Sequence, residues 1–149
     1  MAAPRSAPAV EELLARGRGL ALRPLFAGAD LRPCLLHGDL WRGNFRLATA
    51  SGRPVLLDPA VSWGHAELDV AQVEFLEAPE AAAAFRRGYE DQMGPPAPGA
   101  SMRVDLYALC TALRLWALFP GGAGGAAAAA RCDGLAAAVL QHLAEAGTE

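Results

Sequence analysis

The chain reads as an α+β protein, mainly α-helical. Two features of the sequence lead there. Between residues 34 and 58, short aliphatic runs alternate with turn residues, the texture of brief strands. From residue 66 onward, apolar residues recur at helical spacing over long stretches. Size sets the scale. At 149 residues this is one domain of common size, able to bury about 68–70% of its unfolded surface. Its 53% hydrophobic content is inflated by alanine, which buries little area.

Charge and cysteine usage narrow the class. A net charge of −3 gives no case for nucleic acid or an anionic membrane as partner. All 13 basic residues are arginine, a bias that fits a GC-rich genome together with the abundance of Ala, Gly and Pro. Cys34, Cys110 and Cys132 are odd in number and form no C-x-x-C pair, which suits a reducing compartment. No apolar run approaches the roughly 18–20 residues that span a bilayer. The expected location is therefore cytoplasmic. The start, MAAPRSAPAVEELLARGRGLALR, reads as a helix leading into the domain, although its Arg-rich, acid-poor character is also that of an organellar transit peptide.

The elements follow in order. Residues 1–9 read as a disordered start. Residues 10–27 carry Val10, Leu13, Leu14 and Leu20 and are weakly helical, interrupted by Gly17 and Gly19. CLL (34–36), NFRLA (44–48) and PVLLD (54–58) are expected strands, with TASG (49–52) as a hairpin loop between the last two. The segment 66–78 is expected to be helical and to stop at Pro79, and 80–93 to be helical up to a Gly/Pro stretch at 94–99. Residues 101–119 place Leu106, Leu109, Cys110, Leu113, Trp116 and Ala117 on one stripe, with Ser101 as N-cap and Pro120-Gly121-Gly122 as the stop. GGAGGAAAAA (121–130) reads as a flexible connection. It is no phosphate-cradling loop, because it follows a helix and lacks the lysine of the Walker pattern. A last helix is expected over 135–146, with Leu135, Val139 and Leu143 on one face.

The chemistry concentrates in LLHGDLWRGN (35–44) and PVLLDP (54–59). Asp39 and Asn44 lie five residues apart, and Asp58 follows after two strands. Phosphoryl transfer from a magnesium nucleotide needs a carboxylate to take the acceptor hydroxyl's proton and oxygen ligands to hold Mg²⁺ against the phosphates. Mg²⁺ takes few protein oxygens and keeps waters, so one Asn and one Asp suffice. Singly, each residue has an ordinary explanation: H-G-D occurs by chance, His37 fits a turn or a core, and Asp-Pro is a turn signal. In this order, with strands between them, they point to phosphoryl transfer.

HGDLWRGN, PVLLDPAVSWGHAELDVAQVEFL and YALCTALRLWALF together resemble the catalytic loop, metal loop and following helices of the fructosamine/ketosamine-3-kinases, in the aminoglycoside-phosphotransferase branch of the protein-kinase-like fold. The tryptophan after H-G-D-L and the D-P-A…W-G-H-x-E-x-D-x-A run carry the specificity of the likeness, which covers roughly residues 31–119. The resemblance implies the C-terminal lobe of that fold over 10–149, with catalytic and metal loops at 35–65, a small β-hairpin carrying them, and a helical part at 66–149. It implies ATP and Mg²⁺ as cofactors and glycated protein amines or small ketosamines as substrates, phosphorylated at the sugar 3-hydroxyl in protein deglycation. By position, Asp39 is then the catalytic base, Asn44 and Asp58 the Mg²⁺ ligands, and Trp41 a substrate-binding residue. His37 and Asp69 support the catalytic loop, and His65 has no assigned role.

Two departures stand out. Arg42 replaces a residue that is usually small in that family, and DPAVSW alters the aromatic pair after the metal aspartate. The family's nucleotide-binding N-terminal lobe, with its lysine, has no counterpart in this sequence. The expectation is therefore a truncated kinase, inactive alone and prone to self-association through an uncovered apolar face. The alternatives are another small-molecule phosphotransferase, acting on an aminoglycoside- or choline-like alcohol, and a noncatalytic interaction module.

Overall fold

The computed structural model describes residues 8–18 and 22–146. The chain is mainly helical, with two small antiparallel sheets. It divides into two compact units, one formed by residues 30–97 and the other by residues before 30 together with those from 98 onward.

The 30–97 unit opens with β1 (Cys34–Leu36), followed by β2 (Phe45–Leu47), β3 (Pro54–Leu56) and β4 (Ser62–Gly64). β2 and β3 form the expected hairpin, with Phe45 opposite Leu56 and Leu47 opposite Pro54. The Ala48 N–H donates to the Arg53 carbonyl at 2.9 Å, and Gly52, at φ 64°, supplies the left-handed turn residue. The sequence reading missed β4. It pairs antiparallel with β1, Leu35 opposite Trp63, so this unit holds two hairpin-like pairs rather than one. Gly64 lets the pair close, since a Cβ there would sit 2.9 Å from Leu36 Cδ1.

α2 (Glu67–Leu76) and α3 (Pro79–Met93) complete the unit. α2 ends before Pro79, in line with the expected stop, and Pro79 itself occupies the first turn of α3. A proline there forfeits only an N–H that has no intrahelical partner anyway. α2 buries Val70, Ala71, Gln72, Val73 and Phe75 in sequence, with Leu36 and Ala82 in the same small core. An ion pair between Arg86 and Glu74 ties α3 to α2, and Phe85 stacks on Tyr89 with ring centroids 6.0 Å apart.

The other unit contains α1 (Pro8–Arg18), a 3-10 turn at Arg23–Phe26, α4 (Ala100–Leu118) and α5 (Ala123–Ala146). Of the expected disordered start, Pro8 and Ala9 lie in α1, and residues 1–7 lie outside the described residues, as do Gly19 and Leu20. α5 packs along α4, and α1 packs on α5. Three expectations are corrected here.

The first concerns residues 121–130. From Ala123 onward they belong to a single 24-residue helix, not a flexible connection. Alanine is the best helix former, so five in a row outweigh two glycines. The small residues are also what the packing requires. Gly125, Ala128, Cys132, Ala136, Val139 and Leu143 form one buried stripe at spacings of three and four. Leu135, placed on that face from sequence, lies at its partly exposed edge.

The second is the N-cap of α4. It is Gly99, in left-handed conformation at φ 73°, and Ser101 lies inside the helix. The buried Arg103 explains the shift: its guanidinium donates to the carbonyls of Leu25 at 3.1 Å and Pro98 at 2.9 Å, drawing the chain into a tight turn before the helix. Third, the buried surface of α4 is broader than one stripe. Val104, Ala108, Thr111 and Ala112 are buried beside Leu106 and Leu109, whereas Cys110 and Ala117 are exposed. The helix is packed on by both the 3-10 turn and α5, so no single stripe describes it. The three cysteines are free thiols, and among the described residues no helix is long and apolar enough to cross a membrane.

The two glycines at the start of α5 should respond oppositely to alanine. At Gly124 a Cβ meets nothing within 4 Å, whereas at Gly125 it would fall on the Phe119 carbonyl. Gly124→Ala should stabilise the chain by about 0.5–1 kcal/mol through lower chain entropy. Gly125→Ala should destabilise it by about 1–3 kcal/mol, the usual cost of overpacking. Urea denaturation midpoints check both signs.

Candidate active site

The site lies within the 30–97 unit. Its first element is the turn His37-Gly38-Asp39 that follows β1. Gly38 has φ 75°, and a Cβ there would overlap the Ala60 carbonyl. Only glycine tolerates both the conformation and the contact. The turn presents two consecutive backbone N–H groups to one carboxylate: His37 N donates to Asp69 Oδ2 at 2.7 Å and Gly38 N to Asp69 Oδ1 at 2.9 Å. Asp69 sits in the first turn of α2, where a carboxylate also complements the helix dipole.

His37 is held at both ring nitrogens. Nδ1 accepts from Asp39 N at 3.3 Å, and Nε2 donates to the Leu57 carbonyl at 3.0 Å. Those partners assign the neutral Nε2–H tautomer. The same Leu57 donates its own N–H to the Asn44 carbonyl at 2.8 Å. Both polar groups of the Leu57 peptide are thus fixed by the 37–44 segment, and the next residue is Asp58. Asp58 is exposed, at φ 51°, an uncommon backbone state that Asp tolerates better than most residues.

Asn44 is buried, and its amide nitrogen donates twice to Asp39, to the backbone carbonyl at 2.9 Å and to Oδ2 at 2.8 Å. With Nδ2 so engaged, Oδ1 is the remaining polar atom of the Asn44 side chain. On the other side of the same carboxylate, Gln72 Nε2 lies 3.3 Å from Asp39 Oδ1. Sequence reasoning missed Gln72. The available signal was its position one helical turn after Asp69, on the same face.

Trp41 is partly exposed, with its ring folded across Gly43. It lines an apolar groove of about 590 Å³ with Leu40, Phe45, Leu56, Val73 and Phe85. Arg42 stands at the groove's edge, where its backbone N–H donates to Glu77 Oε1 at 2.7 Å and its guanidinium reaches Glu77 Oε2 at 3.8 Å. His65 faces Glu67 at 3.6 Å. Burial, reinforced by surrounding negative charge that includes Glu67 and Asp69, raises the Tyr89 phenol above its usual range, so it stays protonated at neutral pH.

Of the residues singled out from sequence, the structure thus links His37, Asp39, Asn44 and Asp69 by direct hydrogen bonds and ties Asp58 to them through Leu57. Among the described residues no group of three or more His, Cys, Asp or Glu is arranged around a common metal position. An Asn-plus-Asp oxygen pair falls outside that pattern. Its hard donors suit Mg²⁺, which binds through one or two carboxylates and retains waters.

The H-G-D turn is thus braced by a helix carboxylate, and the segment ends in an asparagine tied back to the aspartate. Comparison with known proteins then places the chain: a profile of the fructosamine kinase family matches residues 16–133, and the chain belongs to that family. It is 43% identical over 101 residues to a chloroplastic protein-ribulosamine 3-kinase of rice (Oryza sativa subsp. japonica), covering 68% of this chain and 28% of that one. A probable ketoamine kinase of Synechocystis is also 43% identical over 101 residues, covering 68% of this chain and 33% of its own. Mouse ketosamine-3-kinase is 35% identical over 103 residues, at 69% and 32%. The chain therefore spans roughly a third of the length of these relatives.

Two substitutions test the brace. Gly38→Ala should cost about 2 kcal/mol or more, from the left-handed backbone penalty and the clash together. Asp69→Ala deprives two part-buried N–H groups of their acceptor, at about 1–3 kcal/mol each. Chemical denaturation measures both. A stability loss below about 0.5 kcal/mol for Asp69→Ala would show that water replaces the carboxylate.

Proposed function

We propose that these residues carry the catalytic and metal loops of an ATP- and Mg²⁺-dependent ketosamine 3-kinase, in the C-terminal lobe of a protein-kinase-like fold spanning 10–149. The observation that carries the reading is the Asp39–Asn44 pair. One amide nitrogen holds both the backbone and the side chain of Asp39, which restrains the carboxylate beside the amide whose oxygen is free of those two bonds. The family membership and the relatives named as ribulosamine and ketosamine kinases support the substrate class.

On this reading Asp39 takes the proton of the sugar 3-hydroxyl as that oxygen bonds to the terminal phosphorus of ATP and the bond from phosphorus to the departing ADP oxygen breaks. Asn44 Oδ1 and the Asp58 carboxylate would hold Mg²⁺, which would supply positive charge against the phosphates. His37 and Asp69 set the loop without touching substrate. Trp41 offers an aromatic face to the C–H side of the sugar, and the groove beside it receives the apolar stem of the glycated amine. Phosphoryl transfer relies on holding phosphates in line, and these residues match about a third of the length of each relative.

In the full-length protein, Asp39→Asn should lower kcat by about 10²–10⁴ while preserving the fold, the usual contribution of positioned acid–base catalysis. Near-normal turnover would remove Asp39 from the role. Asp58→Ala should weaken Mg²⁺-dependent nucleotide binding more than Asp69→Ala does, because Asp58 contacts the ion and Asp69 acts through the loop. Titrating Mg²⁺ with nucleotide present gives the order, and the reverse order overturns the ligand assignment. A panel of glycated lysine, aminoglycoside and choline acceptors tests the substrate class. Preference for either of the last two would make the protein a different small-molecule phosphotransferase.

A further inference from the structure

Gln72 is a polar side chain on the apolar face of a helix. It is about 1% exposed and lies between Ala71 and Val73, both buried. A buried amide is costly unless its hydrogen bonds are met, and the described partner of its nitrogen is the side chain of Asp39, at Oδ1. Asn44 donates to the other oxygen, Oδ2, at 2.8 Å. The carboxylate is thus gripped at both oxygens by amide donors from two directions, one on its own loop and one on α2.

The placement is geometric. Asp69 and Gln72 are three residues apart on α2, so they share a face. That face meets the loop in matching order: Asp69 takes the N–H groups of His37 and Gly38, and Gln72, one turn on, reaches Asp39. Asp69 therefore sets where the backbone of the loop runs, and Gln72 sets how the aspartate side chain is turned. Donors at both carboxylate oxygens restrain how the group is turned more than a bond to one oxygen does. Orientation matters because a proton acceptor must lie within about 2.6–3.2 Å of the hydroxyl it serves, and a misplacement of about 1 Å costs on the order of 10²-fold.

We propose that Gln72 is a positioning residue for Asp39, holding its carboxylate in the orientation that meets the acceptor hydroxyl. This rests on the reading of Asp39 as the general base. It makes the i, i+3 pair Asp69/Gln72 one device: a helix face that fixes a catalytic loop at both backbone and side chain.

The test is a double-mutant cycle in the full-length protein with ATP, Mg²⁺ and a glycated-lysine peptide. Gln72→Met keeps volume and removes the donor. Alone, it should lower kcat about tenfold, the lower end of the effect of a hydrogen bond to a charged group, with KM for both substrates within about twofold. In the Asp39→Asn background it should change the residual rate by less than about twofold, because its effect runs through the carboxylate. Equal losses in both backgrounds would reveal a merely structural role and overturn the proposal. So would undiminished turnover of Gln72→Met alongside a crippled Asp39→Asn, an outcome that leaves the general-base assignment standing. Near-normal turnover of Asp39→Asn would instead sink that assignment and this inference together. A crystal structure of Gln72→Met supplies a readout independent of activity. The Asp39 carboxylate should be turned or disordered there, and an unchanged carboxylate would refute the proposal.

Discussion

The site depends on one carboxylate. Asp69 accepts two adjacent backbone N–H groups, at 2.7 and 2.9 Å, from a turn whose glycine has φ 75°. Hydrogen bonds to a charged group contribute about 1.5–3 kcal/mol each, and these two act on successive peptides, so together they fix the direction in which the chain leaves β1. The contact between Arg42 and Glu77 is weaker as an ion pair, at 3.8 Å with the guanidinium largely exposed, and surface pairs contribute about 0–1 kcal/mol. Glu77 matters more through its 2.7 Å bond from the Arg42 backbone N–H. The loop is thus anchored near its start by Asp69 and at Arg42 by Glu77, one carboxylate at the beginning of α2 and one just past its end.

The second constraint is the Leu57 peptide. Its N–H is held by the Asn44 carbonyl and its C=O by the His37 ring. Asp58 follows, so its position is inherited from the loop that carries Asp39 rather than from the hairpin alone. A hydrophobic residue exposed on a hairpin, Leu57 matters here for its backbone. The contact of Gly38 with the Ala60 carbonyl closes the same arrangement from the far side of Asp58. Both segments must move together, which is why two short and largely exposed strand pairs suffice to support a defined geometry.

How much of this was legible in the sequence depends on whether the signal was local. The β2–β3 hairpin was legible because two β-rich runs flank a Ser-Gly turn, and the H-G-D…N…D order picked out residues that the structure links. β4 was not. Ser62-Trp63-Gly64 has no alternation of its own and pairs with β1 across a long separation. The start of α5 was misread because glycine-rich sequence looks like a linker, although glycine and alanine are also what a closely packed helix needs. Ser101 has a good capping side chain, but the cap fell to Gly99, because the buried Arg103 bonds to Pro98 and Leu25, contacts that a sequence does not display. Gln72 was passed over for the same reason. On a helix whose other buried positions are apolar, one glutamine carries no message until its partner is known.

The choice of amides around Asp39 has its own logic. In a chain whose basic residues are all arginine, a guanidinium was available to grip this carboxylate through a bidentate fork. A full positive charge at hydrogen-bond distance favours the ionised form and makes a carboxylate a poorer proton acceptor. The amide donors described here, from Asn44 and Gln72, orient the group without bringing a formal charge. On the proposed reading they also leave the Asn44 carbonyl for a cation, so that one side chain would align the base and offer an oxygen to the metal. An arginine in place of Asn44 would orient Asp39 and forfeit the metal oxygen, and an aspartate there would offer the oxygen but repel Asp39. On the proposed reading, asparagine alone combines both functions at this position, where the loop turns into β2.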